Sequence, residues 1–257
     1  MDDFIIVRHN KPQLKEPVLI EGLPGVGNVG KLAADHMVDE LETVHIASIY
    51  SKHLPPQVLI DEDGIIRLVS NELHGYKNPN KNGQDLLIVT GDYQGMNHDG
   101  QYDISHKILD MAEEFGVSCV YTLGGYHVNQ LIEIPKVLGA ATKTEKVEEM
   151  KSFGVVFSKN EPGNGIVGAS GLLLGLSKIR NIPAACLMGE TYGYFVGDPN
   201  GAKAVLEILV KILGVSVDFS SLEKKAKELE YLTRRLKDLE SVAQDDSRDR
   251  EHLEYIG

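Results

Sequence analysis

Short apolar runs alternate along this chain with segments whose apolar residues recur every three or four positions, the pattern of strands followed by helices. The run VLIEGL (Val18 to Leu23) predicts a strand leading into a helix over about 26–41, and VHIASIY (Val44 to Tyr50) predicts a second strand. Between Gln57 and Leu73, VLIDEDGIIRLV places Asp63-Gly64 between two apolar runs, the signature of a β-hairpin inserted into the fold. DLLIVTGD then predicts a strand, Tyr102 to Phe115 a helix, and VSCVYTLGG another strand. A polar connection carrying the strand FGVVF follows, then a Gly-rich helix near Gly165 to Ile179, the strand AACLM and a helix over Gly201 to Leu213. This order predicts an α/β body over residues 1–217, with a mostly parallel central sheet flanked by helices.

After Val217 the pattern narrows to a single stripe. Leu222, Ala226, Leu229, Leu232, Leu236, Leu239 and Ala243 are spaced by threes and fours, which predicts a helical arm over 218–243. Over only about three heptads such a stripe is either a coiled-coil seam or a face packed on its own domain or a neighbouring subunit. Leu222, Leu229, Leu232, Leu236 and Leu239 are therefore the candidate oligomer contacts. Residues 244–257 are charged and predicted to be a flexible tail, yet they end on apolar side chains.

The totals fit an ordinary globular chain: 257 residues, 42% hydrophobic, 25% charged. A formal net charge of −12 argues against non-specific nucleic-acid binding, which needs clustered Lys and Arg. No run approaches the roughly 18 apolar residues that span a bilayer, and the N-terminus starts acidic, so the expected location is the cytoplasm. Cys119 and Cys186 each lie in an apolar run and read as reduced core residues.

The segment GVGNVGKL satisfies two phosphate-binding patterns. As a dinucleotide fingerprint it supplies Gly25, Gly27 and Gly30, but the acid expected about 20 residues on is absent, with Ile49, Tyr50 and Ser51 there instead. As a P-loop, Gly25 to Lys31 supplies the glycines and the lysine. Leu32 replaces the magnesium-binding hydroxyl, and Asp92 stands where a supporting carboxylate would be. The competing reading is that these glycines let the chain turn and the helix pack closely. Asp99, Asp103, His106 and Asp110 share one helical face, readable as a metal face or a solvated one. His127 and Glu190 follow strands and are pocket candidates, and Ser170 lies among small residues without the spacing of a nucleophile elbow. No catalytic residue, resident metal or cofactor is expected.

Together, VLIEGLPGVGNVGKLAADHMVDEL, YTLGGY, NGIVGASGLLLGL and GETYGYFVGDPNGAKAVLEIL resemble the proteasome assembly chaperone family in its archaeal branch, over most of residues 1 to 215. The resemblance implies a phosphorylase/hydrolase-like α/β fold without an established catalytic function. It further implies homo-oligomers that assist or regulate proteasomes, without ATP, by binding the α-subunit ring. Some relatives end in a hydrophobic-tyrosine-X motif that enters pockets between α subunits. Here Leu253, Tyr255, Ile256 and Gly257 are the corresponding candidates, with Tyr255 third from the end rather than penultimate. Either Tyr255 takes the aromatic position with a displaced carboxylate, or Ile256 takes the penultimate pocket, or the tail folds back on its own oligomer. The alternatives are a ligase-like enzyme using Gly25, Gly27, Gly30 and Lys31 on a nucleotide or phosphorylated substrate, and a structural oligomer with another partner.

Overall fold

A computed structural model describes residues 3–80, 83–130, 132–157, 165–192 and 196–232. Among the described residues, the body over 3–218 contains ten strands and five α-helices. In order they are β1 (Phe4–Arg8), β2 (Val18–Glu21), α1 (Val29–Glu40), β3 (Val44–Ser51), β4 (Val58–Ile60), β5 (Ile66–Leu68), β6 (Asn71–Tyr76) and β7 (Leu86–Gly91), then α2 (His98–Glu114), β8 (Cys119–His127), β9 (Val137–Ala141), α3 (Thr144–Ser152), α4 (Ala169–Ile179), β10 (Ala184–Thr191) and α5 (Pro199–Leu213).

Eight strands form one sheet in the order β1-β3-β6-β7-β2-β8-β10-β9. The middle block β7-β2-β8-β10 is parallel. The four remaining pairings are antiparallel. The expectation of a mostly parallel sheet is therefore corrected: the sheet is mixed, with antiparallel pairings in the majority. The cause lies in NELHGY, whose polar Asn71, Glu72 and His74 hide the strand β6, and in β1 and β9, which add antiparallel edges. The expected strand FGVVF is also corrected, since only Val156 bridges to Leu138 there. The strand in this connection is instead β9, at the sheet edge, and the connection also contains α3, which buries only Met150.

The body has three layers. Leu19, Leu87, Val89, Val120 and Ala184 point to one face, where Ile104, Ile108 and Ala112 of α2 and Leu173 of α4 close a continuous core. Alternate residues Ile20, Ile88, Tyr121 and Leu187 are buried on the other face, on which α1 and α5 pack. Burial on both faces explains why β2 and β7 are almost wholly apolar. Local chemistry sets the ends of α5: Asp198 accepts from Asn200 N and Gly201 N at 3.0 Å, Pro199 opens the first turn, and Gly214 closes it with φ of 64°.

β4 and β5 pair antiparallel as a separate two-stranded ribbon. Asp61 Oδ1 accepts from Ile65 N at 2.7 Å and Asp63 N at 3.2 Å across its turn, and Gly64 has φ of 79°. Phe219–Gly257 make up a second unit, helical over 220–232 among its described residues. There Leu222 is buried, Leu229 is half-buried and Leu232 is 56% exposed.

Candidate functional site

The carboxyl ends of the parallel strands β2, β8 and β10 converge on the Gly-rich loop, the position where open α/β sheets usually bind ligands. The loop leaves β2, forms one 3-10 turn over Val26–Asn28 and enters α1. Gly27 has φ of 58°, and a Cβ there would lie 2.6 Å from Thr191 Oγ1. At Gly30 a Cβ would overlap the Leu123 carbonyl, so α1 reaches β8 only because this residue lacks a side chain. Gly25 differs: its φ is −160°, and the nearest atom to a Cβ would be 3.9 Å away.

Several of the loop's polar groups are bonded within the protein. Gly25 N donates to Asn28 Oδ1 at 3.3 Å, Asn28 Nδ2 donates to the Val196 carbonyl at 2.7 Å, and Asp198 N donates to the Gly27 carbonyl at 2.7 Å. Lys31 pairs with Asp35 one turn along α1 at 2.9 Å, and Asp35 also accepts from the Thr90 hydroxyl. Asp92 is gripped by both Arg67 nitrogens, at 2.6 and 2.8 Å, and accepts from Ser70 N at 2.9 Å. Burial raises the Asp92 pKa, but the Arg67 fork and the Ser70 amide outweigh it and hold it below the carboxylate range.

Beneath the loop lies a buried carboxyl. Glu21 ends β2 at zero exposure; its Oε1 accepts from Leu23 N and its Oε2 from Ser170 Oγ, both at 3.0 Å. Burial pushes its pKa up to about 7, against the pull of those two donors. The strand register sets Glu21 beside Thr122 of β8, and Thr122 beside Cys186 of β10. Burial lifts the Cys186 thiol to about 12, with the Thr122 hydroxyl opposing and the Glu21 charge reinforcing that shift. Gln94 ties the loop to the start of α4, donating to the Pro24 carbonyl at 2.6 Å and accepting from Ala169 N at 2.9 Å. A neutral Glu21 can exchange a proton near pH 7, but it is sealed under α4.

Cys119 and Cys186 are both buried and free, and burial also raises the Cys119 pKa. On α2, Asp110 and His106 face Arg180, whose Nη1 is 2.8 Å from Asp110 Oδ1 and whose Nη2 is 2.9 Å from His106 Nδ1. Asp103 lies 3.1 Å from His53 Nε2, so the polar face of α2 is occupied by protein side chains, Arg180 and His53. His127 contacts Asn129 Oδ1 at 3.0 Å, and Glu190 accepts from Lys136 N at 2.9 Å, anchoring the approach to β9. Leu236, Leu239, Leu253, Tyr255, Ile256 and Gly257 lie outside the described residues. Reading the sequence missed Glu21 and Gln94; an acid inside the otherwise apolar VLIEGL was the available signal for Glu21.

A three-layer α/β body with a Gly loop packed onto its strand ends defines the class of protein. The PAC2 family model matches residues 19–237, and the chain belongs to the PAC2 family. The chain is 39% identical over 248 residues to the uncharacterized protein MJ1210 of Methanocaldococcus jannaschii, covering 95% of this chain and 93% of that one. It is 40% identical to Pyrococcus furiosus PbaB, described as an archaeal proteasome activator, with a TM-score of 0.87 over 92% of this chain and 100% of that one. Pyrococcus furiosus PbaA, described as an archaeal homolog of proteasome-assembly chaperone, superposes with a TM-score of 0.75 at 27% identity, covering 99% of this chain and 100% of that one.

Proposed function

We propose that this chain is a non-enzymatic, ATP-independent proteasome activator or assembly chaperone that acts as a homo-oligomer and binds the α-subunit ring. The observation that carries the reading is its 40% identity to an archaeal proteasome activator across that protein's whole length. Leu253, Tyr255, Ile256 and Gly257 supply the docking end, and several tails on one oligomer raise each other's effective concentration at the ring. Self-association uses the leucine stripe. Because Leu222 is already buried, the contacts fall to Leu229, Leu232, Leu236 and Leu239. Exposed Ile60, Ile65, Ile66 and Leu68 on the β4–β5 ribbon offer a second apolar surface for another copy.

A phosphate-binding enzyme built on Gly25, Gly27, Gly30 and Lys31 has less support, because Asn28, Asp198 and Asp35 already engage that loop and its lysine. The test is hydrolysis of a fluorogenic peptide by purified archaeal 20S proteasome, paired with co-sedimentation and performed without nucleotide. Increased hydrolysis with co-sedimentation identifies an activator, and co-sedimentation alone identifies a chaperone. Absence of both overturns the proposal.

A further inference from the structure

Three histidines gather on the antiparallel half of the sheet, on strands that carry no part of the Gly loop. The β3–β6 register sets His45 opposite His74, beside a β-bulge between His45 and Ala47. Their rings stack with centroids 4.9 Å apart and planes 16° from parallel. His9, just past β1, brings its ring centroid within 4.2 Å of that of His45. One hydroxyl, Ser48 Oγ, lies 3.2 Å from the Nε2 atoms of both His9 and His45. Glu72 precedes His74 by two residues on the same face of β6, and its Oε2 is 3.2 Å from His74 Nε2.

We infer that His45, Glu72 and His74 form a binding site for a divalent transition-metal ion of the zinc class, with His9 or water in the fourth position. One ligand atom from each of the three residues lies within 4.8 Å of the others. Zinc takes imidazole nitrogen and carboxylate oxygen at about 2.0–2.2 Å, which sets ligand atoms about 3.4 Å apart in a tetrahedron. The His74–Glu72 pair is already at that separation, so small side-chain rotations complete the set.

Burial lowers the His45 pKa; Glu72 opposes that shift, while His74 and His9 add to it. The bond from His74 lowers the Glu72 pKa, outweighing its burial, and Arg67 contributes to the same shift. Two imidazoles and one carboxylate are a borderline donor set that suits zinc better than calcium or magnesium. A bound ion would join β3 to β6 and, through His9, to the chain leaving the edge strand β1.

The test uses the full chain, stripped with chelator and titrated with Zn²⁺ alone by calorimetry. Co²⁺ then serves as a spectroscopic probe of tetrahedral coordination. The expected result is one Zn²⁺ per chain, a visible Co²⁺ band, and a higher Tm with metal. Glu72→Gln and His45→Asn are expected to weaken binding at least about tenfold while retaining the far-UV spectrum of the parent. His53→Asn, which alters the separate Asp3, His53 and Asp103 group, is expected to bind as the parent does. Absence of Zn²⁺ binding by the parent overturns the inference. Unchanged affinity in both Glu72→Gln and His45→Asn also overturns it, as does loss of binding in His53→Asn.

Discussion

Ser170 and Glu21, 149 positions apart in the sequence, meet through a 3.0 Å hydrogen bond buried between α4 and the end of β2. The Ser170 hydroxyl also reaches the Leu123 carbonyl at 3.3 Å, so one side chain links a helix start to two neighbouring parallel strands. The contact sits directly under the loop that looks most like a phosphate site. Burial there, against the pull of the Ser170 and Leu23 donors, leaves an acid whose proton is retained close to neutral pH.

That acid predicts a pH-dependent stability with a definite sign. The folded pKa of Glu21, about 7, lies above the ordinary glutamate value of 4.5, so the native state binds more protons between those values. The Glu21 contribution therefore becomes less favourable as pH rises from about 4.5 to about 7, by about 3 kcal/mol in all. Glu21→Gln should match the parent near pH 4.5 and exceed its stability at pH 8, with Ser170 turned to donate to Leu123. Denaturant unfolding across this range measures the difference; a constant gap between the two proteins would contradict the assignment.

Gly30 and Gly25 separate packing from phosphate binding. Alanine at position 30 gains about 1 kcal/mol of helix propensity but overlaps the Leu123 carbonyl, and such overpacking costs about 1–3 kcal/mol or more. Gly30→Ala should therefore be net destabilising. Gly25→Ala, whose Cβ would meet only ordinary contacts at 3.9 Å and beyond, should stay within about 0.5 kcal/mol of the parent. Urea unfolding of the two variants decides this.

The Arg67–Asp92 pair holds the β4–β5 ribbon to the end of β7. With Arg67 half-exposed, its loss should cost about 1 kcal/mol or less in global stability. The larger effect is local: Arg67→Ala should speed amide exchange over residues 58–68, and Arg67→Lys should restore it incompletely, because lysine cannot bond both carboxylate oxygens in the same fork. Hydrogen-exchange mass spectrometry reads both effects.

The leucine stripe carries the proposed self-association. Leu232→Asp adds a charge at a site already 56% exposed in the single chain, so the fold should survive. Oligomer mass measured by light scattering should fall, with an unchanged far-UV spectrum. An unchanged mass would remove Leu232 from the interface.

The parallel heart of the fold was legible because VLIEGL and LLIVTG are apolar on both faces, as strands covered by two helical layers must be. β6 was not, because its burial is bought with hydrogen bonds: Asn71, fully buried, donates to the Tyr93 carbonyl at 2.8 Å, and His74 pairs with Glu72. α3 escaped for the converse reason, burying Met150 alone in TEKVEEMKS. The glycines of the loop stood out as a motif, but their neighbours Thr191 and Leu123 come from distant strands. Glu21 could be read as a strand residue; its role required Ser170 and Leu23, and only folding brings Ser170 to it.

The central claim is docking on the proteasome through the C-terminal end. Its most direct test is a pull-down with purified archaeal 20S proteasome, comparing the intact chain with one ending at Glu251, which lacks Leu253, Tyr255, Ile256 and Gly257. The account predicts retention of the intact chain and loss of the shortened one, with equal oligomer mass for both. Equal retention of the two proteins would contradict it.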